Sequence, residues 1–308
     1  MKIFISAFML IVLSLGADLA FAAQPPHDLI KAAEQGDAKA QFELGYIYEY
    51  GRRGVTKNTT QAAKWFKMAA GGLHQMAEAG DVYAQRMLGI MYSDGFGVVI
   101  DGAQGAEWFT KSLDGLHKMA KHGDAESQYE LADIYFRGFY ITRADKIQAI
   151  EWYHKAAEHG HAKAQFDLGC LYYAGSFIAK DQSLAMELFR KAADQEYAEA
   201  QFAVGHCYDY GIGVAKDEAM AFEWYSKAAA LGNANAQMFL GDFYYNGKFV
   251  SEDKKQAFDW YLKAAEQGDQ YSAGMLNYMY YHGIGVTQDR RKAVEWAPRA
   301  AGKGIMMQ

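Results

Sequence analysis

A few groups of side chains in this sequence are of types and spacings that could do chemistry. Ser251 and Lys254 stand three apart, as in enzymes where a lysine activates a serine for acyl transfer. The Ser-Asp-Asn and Lys-Thr-Gly triplets that complete such a site do not accompany them. His154, His159 and His161 gather around a turn and could offer imidazoles to a metal. A closed site needs a fourth ligand and a pocket, and neither is evident, so the spacing fits an exposed cluster at a helix end. An acid or amide recurs at Asn58, Asp101, Asp145, Asp181, Asp217, Asp253 and Asp289. Groups spread so evenly do not converge on one reacting bond. Gly-x-Ser-x-Gly, a phosphate-binding glycine loop and His-Glu-x-x-His are all missing from the sequence. The expectation is a protein that binds rather than catalyses, with no cofactor and no metal.

The elements that position these residues follow from an internal repeat. A glycine recurs at Gly51, Gly95, Gly138, Gly175, Gly211, Gly247 and Gly283, at intervals of 44, 43, 37, 36, 36 and 36. Three residues before each stands a tyrosine, from Tyr48 and Tyr92 through Tyr280. All 6 tryptophans (Trp65, Trp108, Trp152, Trp224, Trp260 and Trp296) follow a repeat glycine by 13 or 14 residues, and Leu188 fills the vacant place. A sugar platform or cofactor box would not distribute tryptophans so regularly. A core position used once per unit would, so these rings are expected to fill the gaps between layers.

Each unit reads as two helices. The first follows Gly36-Asp37, Gly80-Asp81, Gly123-Asp124, Gly232-Asn233 or Gly268-Asp269, where the Asp or Asn can cap free N–H groups. Its apolar stripe runs Ala40, Leu44, Ile47, Tyr48 at helical spacing. The repeat glycine ends it, because glycine takes the left-handed conformation without strain. The once-per-repeat Asp or Asn then opens the second helix. Gln61, Gln104, Gln148 and Gln256 stand three residues on and predict capping boxes.

Lys2, the apolar run Ile3 to Leu15 and the small residues of Ala20-Phe21-Ala22 predict a cleaved signal peptide over residues 1–22. Ala23 would begin the mature chain, with 23–28 a linker. No cysteine near the cut supports lipidation, and no second long apolar run predicts a membrane span. A net charge of −6 argues against nucleic acid, which needs a basic surface. The 2 cysteines, Cys170 and Cys207, are too few for a disulfide scaffold. Adjacent helices pack roughly 8–10 Å apart, and a disulfide needs Cα atoms within about 7 Å, so two separate buried thiols are expected.

The stretch Gln201-Phe202-Ala203-Val204-Gly205, Tyr208, Gly211-Ile212-Gly213-Val214, Asp217, Ala221, Trp224-Tyr225 and Lys227-Ala228-Ala229 resembles one Sel1-like repeat, a relative of the tetratricopeptide repeats. The resemblance covers residues 29–304. It implies an all-α, right-handed solenoid of seven helix hairpins whose first helices line a concave face. It also implies an adaptor that holds protein complexes together, in the periplasm or after secretion. Some cysteine-rich relatives are labelled β-lactamases, and these pair their cysteines within one repeat at shorter spacing. Several departures stand out. Residues 29–36 read as a capping half-repeat, since Lys31–Asp37 is identical to Lys263–Asp269. The first two of the repeats over 37–304 carry seven extra residues with Gly72-Leu73-His74 and Gly115-Leu116-His117, which either lengthen the second helix or break it. In the last repeat Ala273 replaces the usual Gln, Asn277 the usual Gly, and Pro298 interrupts the final helix before a 305–308 tail.

The first helices also carry the candidate binding residues. Beside the core stripe lie Phe42 and Tyr46, Tyr129 and Phe136, Phe166 and Tyr173, Phe202, His206 and Tyr210, Tyr245, and Tyr278 and Tyr281. Glu49, Asp133, Asp209 and Asp242 are interspersed. An aromatic face dotted with acids suits a protein or peptide partner, because aromatics dominate binding hot spots. The alternatives are that the rings stack on a cell-wall glycan or muropeptide, or that they are aromatic for packing alone.

Overall fold

The computed structural model describes residues 25–51, 55–138 and 145–300. The expected signal peptide, residues 23 and 24 of the linker and the C-terminal tail lie outside the described residues. Among the described residues every regular element is an α-helix. A leading helix, α1 (His27–Glu34), precedes hairpins α2 (Ala38–Tyr50) with α3 (Thr59–Glu78), α4 (Val82–Asp94) with α5 (Gly102–Lys121), and α6 (Ala125–Arg137) with α7 (Lys146–Glu158). These form one compact unit. The second unit holds α8 (Ala162–Ala174) with α9 (Gln182–Ala193), α10 (Ala198–Tyr210) with α11 (Glu218–Ala230), α12 (Ala234–Asn246) with α13 (Lys254–Glu266), and α14 (Gln270–His282) with α15 (Arg290–Ala300). Pro298 sits within α15, which runs through it.

The caps form as the sequence predicts. Asp37, Asp81, Asp124, Asn233 and Asp269 accept a backbone N–H three residues on at 2.7–2.9 Å. Every second helix is opened likewise by its Asp or Asn, at 2.9–3.1 Å. The capping boxes do not close. The N–H that glutamine would receive is already taken: each cap residue donates it to the carbonyl of its own repeat tyrosine, at 2.7–3.0 Å. Gln148 and Gln256 instead donate to the cap carboxylates of Asp145 and Asp253, at 3.3 and 3.1 Å. This backbone bond ties the end of each first helix to the start of its partner.

Further hydrogen bonds join neighbouring repeats. The first-helix glutamines Gln41, Gln85, Gln128, Gln201 and Gln237 each donate to the carbonyl eight residues earlier, on the end of the preceding second helix. Ala273 cannot do so. The seven-residue inserts lengthen rather than break their helices, so α3 and α5 are 20 residues each. Within them Leu73 and Leu116 are buried, while His74 and His117 meet the hydroxyls of Tyr92 and Tyr135 at 2.9 and 3.1 Å.

The tryptophans are less central than their spacing suggests. Trp65, Trp108, Trp152 and Trp260 are half-buried, and only Trp224 and Trp296 are buried. The residue after the tryptophan, or after Leu188, fills the core: Phe66, Phe109, Tyr153, Phe189, Tyr225 and Tyr261 are 0–5% exposed. The tryptophan lies at the edge, where Lys111, Lys155, Lys227 and Lys263 place ammonium groups 4.0–4.3 Å from the rings of Trp108, Trp152, Trp224 and Trp260.

The buried ring explains the first-helix glycine. A Cβ on Gly45, Gly89, Gly169, Gly205 or Gly241 would lie 2.5–2.8 Å from the ring of its hairpin. The departure in repeat seven follows from the same contact. Ala297 replaces the ring after Trp296, leaving room for Asn277, whose amide donates to the Ala293 carbonyl at 2.7 Å.

Two outcomes are expected. Phe66→Ala should cost about 3–5 kcal/mol in urea denaturation, and Trp65→Ala of the same hairpin clearly less, about 1–2 kcal/mol. Gly205→Ala should cost about 1–3 kcal/mol by forcing its methyl against Tyr225. The loss should shrink when Tyr225 is also reduced to Ala, a non-additivity that a double-mutant cycle measures.

Candidate functional site

The candidate face begins on the first helices of each unit. In the first, Phe42 is buried against Phe66 at 5.5 Å, and Tyr129 is buried with its ring stacked 4.6 Å from His161. Tyr46 is half-buried beside an exposed Tyr50, 4.6 Å away. Phe136 is half-buried, with the Lys146 ammonium 3.8 Å from its ring.

In the second unit Phe202 is buried at 5.6 Å from Tyr225, while Phe166 is half-buried between Phe189 and Tyr197. Phe42, Tyr129 and Phe202 therefore form a floor rather than a contact surface. They occupy the same position of the repeat, one turn before the ring-bearing glycine or alanine, and so lie over the buried ring. Tyr173 and Tyr245 are half-buried, the latter with the Lys254 ammonium 3.8 Å from its ring. Tyr210, Tyr278 and Tyr281 stand out at 56, 45 and 47% exposed. Tyr278 and Tyr281 both pack on His282, at 4.5 and 4.9 Å.

Charge in the second unit is held close to these rings. Asp209 is buried and paired with Lys248. The Asp242 carboxylate accepts the hydroxyls of Tyr261 at 2.6 Å and Tyr271 at 3.2 Å. Burial raises the Asp242 pKa despite those bonds. His206 packs among Phe202, Tyr210 and Phe239, and burial lowers its pKa to about 4, against the opposing pull of Asp209.

The other candidate groups do not assemble. Cys170 and Cys207 are free, buried thiols, as the spacing predicts, and burial pushes the Cys207 pKa up to about 12. Lys254 bonds the Tyr245 carbonyl and pairs with Glu252, and Asp253 between it and Ser251 is a helix cap. His159 bonds Gln128 at 2.8 Å and His161 meets Glu126 at 3.1 Å. Among the described residues no group of three or more His, Cys, Asp or Glu is arranged to hold a metal.

Two exposed rings escape a reading of the first helices because they belong to loops. Phe177 and Phe249 are 64 and 56% exposed and sit at positive φ, 68° and 61°. Repeats two, five and seven place Gly97, Gly213 and Gly285 there. A phenylalanine in that conformation is strained by roughly 1–2 kcal/mol. The substitution of the second loop glycine was the available signal.

The pH dependence follows from His206. Its folded pKa lies below the unfolded value, so the unfolded chain takes up the proton first and stability falls as pH drops from about 6.5 to about 4. The loss should reach about 3 kcal/mol. His117, lowered by burial, acts in the same direction, and the raised Asp242 opposes it. Thermal melts across this range should be flatter in His206→Phe than in the parent protein.

A model of the Sel1 repeat matches residues 38–71, 82–115, 125–161, 162–197, 198–233, 234–269 and 270–305. A Sel1 repeat protein from Oxalobacter formigenes is similar in structure, with 31% identity and a TM-score of 0.62, over 99% of this chain and 83% of that one. A protective antigen of uropathogenic Escherichia coli strains, displaying an SLR fold, is also 31% identical, with a TM-score of 0.58. That match covers 92% of this chain, which spans 65% of the antigen. None of the curated proteins compared with the chain matches it. No described helix is long and apolar enough to cross a membrane. Sel1 repeat proteins are generally protein–protein interaction scaffolds. With seven matched repeats over most of its length, the chain belongs to the Sel1 repeat family.

Proposed function

We propose that the protein is an exported scaffold, periplasmic or secreted, that binds a protein partner through exposed first-helix aromatics. The observation that carries this reading is the exposure of Tyr210, Tyr278 and Tyr281 on the first helices, where Phe42, Tyr129 and Phe202 are buried. Large rings kept at the surface of a well-packed array are the residues from which hot spots are built. Half-buried Tyr173 and Tyr245 extend the same face within the second unit. Asp209 and Asp242 beneath it favour a basic segment of the partner at this face, which would speed association at low salt. The leader-like first residues support export.

Tyr210→Ala with Tyr281→Ala should weaken capture of the partner from a periplasmic extract by about 2 kcal/mol or more. The melting curve should stay in place, since both rings are already exposed. A double variant that melts far earlier would show packing residues, and unchanged capture would remove the face from the proposal. N-terminal sequencing of material from the periplasmic fraction should find Ala23 first. Purified peptidoglycan, tested beside the extract, should not be retained.

A further inference from the structure

A second candidate surface lies in the first unit, at the ends of second helices rather than on the first-helix face. A cleft of about 510 Å³ is lined by Lys121, His122, Gln128, Trp152, Lys155 and His159, together with Ala120 and Gly123. No carboxylate lines it. In a chain of net charge −6, two lysines and two histidines meeting without an acid is a local inversion.

The sister repeats show that the fold does not require it. The residue equivalent to Lys121 is Glu34, Glu78, Glu158, Asp194, Ala230 or Glu266. The position held by His122 and His159 is Gln35, Ala79, Gln195, Leu231 or Gln267 elsewhere. One lysine at a helix end is what the helix dipole favours. The dipole does not account for a charge reversal at this junction together with both histidines and a tryptophan wall.

Hydrogen bonding sets the histidine tautomers. The Gln128 amide nitrogen donates to the Ala120 carbonyl at 2.8 Å, so its oxygen faces His159 and accepts from Nδ1 at 2.8 Å. His122 Nδ1 donates to the Lys118 carbonyl at 2.7 Å. In both rings Nδ1 carries the proton of that bond, and Nε2 is the remaining ring nitrogen. Gly123 lies beside His159, where its missing Cβ would stand 3.7 Å from the ring. Trp152, with Lys155 at 4.1 Å and His117 at 5.9 Å, gives the cleft an apolar wall.

We infer that this cleft is an anion-recognition site that takes carboxylates of an acidic segment of the bound partner. The inference rests on the scaffold reading and adds to it a site away from the tyrosine face. The Lys121 and Lys155 ammonium groups supply attraction and charge-assisted donors, and Trp152 packs against the methylenes of a glutamate side chain.

The test is fluorescence anisotropy on the full mature protein, with a labelled, C-terminally amidated hexaglutamate peptide at low salt. A hexalysine peptide is the control, and a hexaalanine peptide with a free terminus distinguishes terminal from side-chain carboxylates. Hexaglutamate should bind, and binding should weaken on raising the salt to a few tenths molar. Lys121→Glu should lose it at least tenfold without a change in melting temperature, because four sister junctions already carry that glutamate. Lys155→Gln should weaken it severalfold, and Tyr210→Ala should leave it unchanged. Binding of the free-terminus hexaalanine, lost in Lys121→Glu, would support the site with a chain terminus as its ligand. Hexaglutamate binding no better than hexalysine, or equal in Lys121→Glu and the parent, would overturn the inference. Failure of the scaffold reading would show separately, as unchanged partner capture in the Tyr210 and Tyr281 double variant.

Discussion

The contact of a first-helix glycine with a second-helix ring sets the geometry of most hairpins in this protein. With no side chain at Gly45, Gly89, Gly169, Gly205 or Gly241, the flat ring of the partner helix lies directly on the backbone. That approach brings the helices close enough for small alanines such as Ala62, Ala185, Ala221 and Ala257 to be fully buried. Once the ring occupies the hairpin interior, the adjacent tryptophan is directed to the flank, where lysines cover it. The first-helix position one turn earlier is likewise forced over the ring, which is why Phe42, Tyr129 and Phe202 are buried.

The same constraint separates the rings that can meet a partner from those that cannot. A first helix has one side committed to its hairpin and another to the preceding repeat, joined by the glutamine bond. Residues near its C-terminal end are released from both, and Tyr210, Tyr278 and Tyr281 lie there, while Tyr271 is exposed at the opposite end of its helix. Exposure on this face is thus a product of position along the helix as much as of residue type. The cleft at Lys121 depends on the complementary region, the ends of the second helices, where one junction departs in charge from its sisters.

Much of this was legible in the sequence. The glycine and tyrosine register defines the hairpins, and the acid before each helix defines its start, because both rest on local backbone chemistry. The cysteine state followed from spacing alone. The tryptophans show the limit of periodicity: a period identifies an equivalent position, but its neighbour shares the period, and only packing shows which is inside. Gln61 and its counterparts failed as capping boxes because a carbonyl ten or so residues back competes for the same N–H, a tertiary partner no local motif contains. The aromatic face was partly legible, since rings needed for packing and rings left outside have the same composition. Phe177 and Phe249 were legible only as departures from the second loop glycine of the sister repeats.

The bond from each cap residue to its repeat tyrosine has a consequence for how the array can be observed. It joins two backbone groups, so side-chain substitution at either residue leaves the donor and acceptor in place. Each repeat contributes one such amide, from Asn58 through Asp289, at the point where its hairpin closes. In a linear array, where units open against their neighbours and not as one body, protection of these protons from deuterium reports each hairpin's opening free energy separately. The protein thereby carries an evenly spaced set of backbone reporters, from which a profile of local opening along the chain can be drawn without adding a probe.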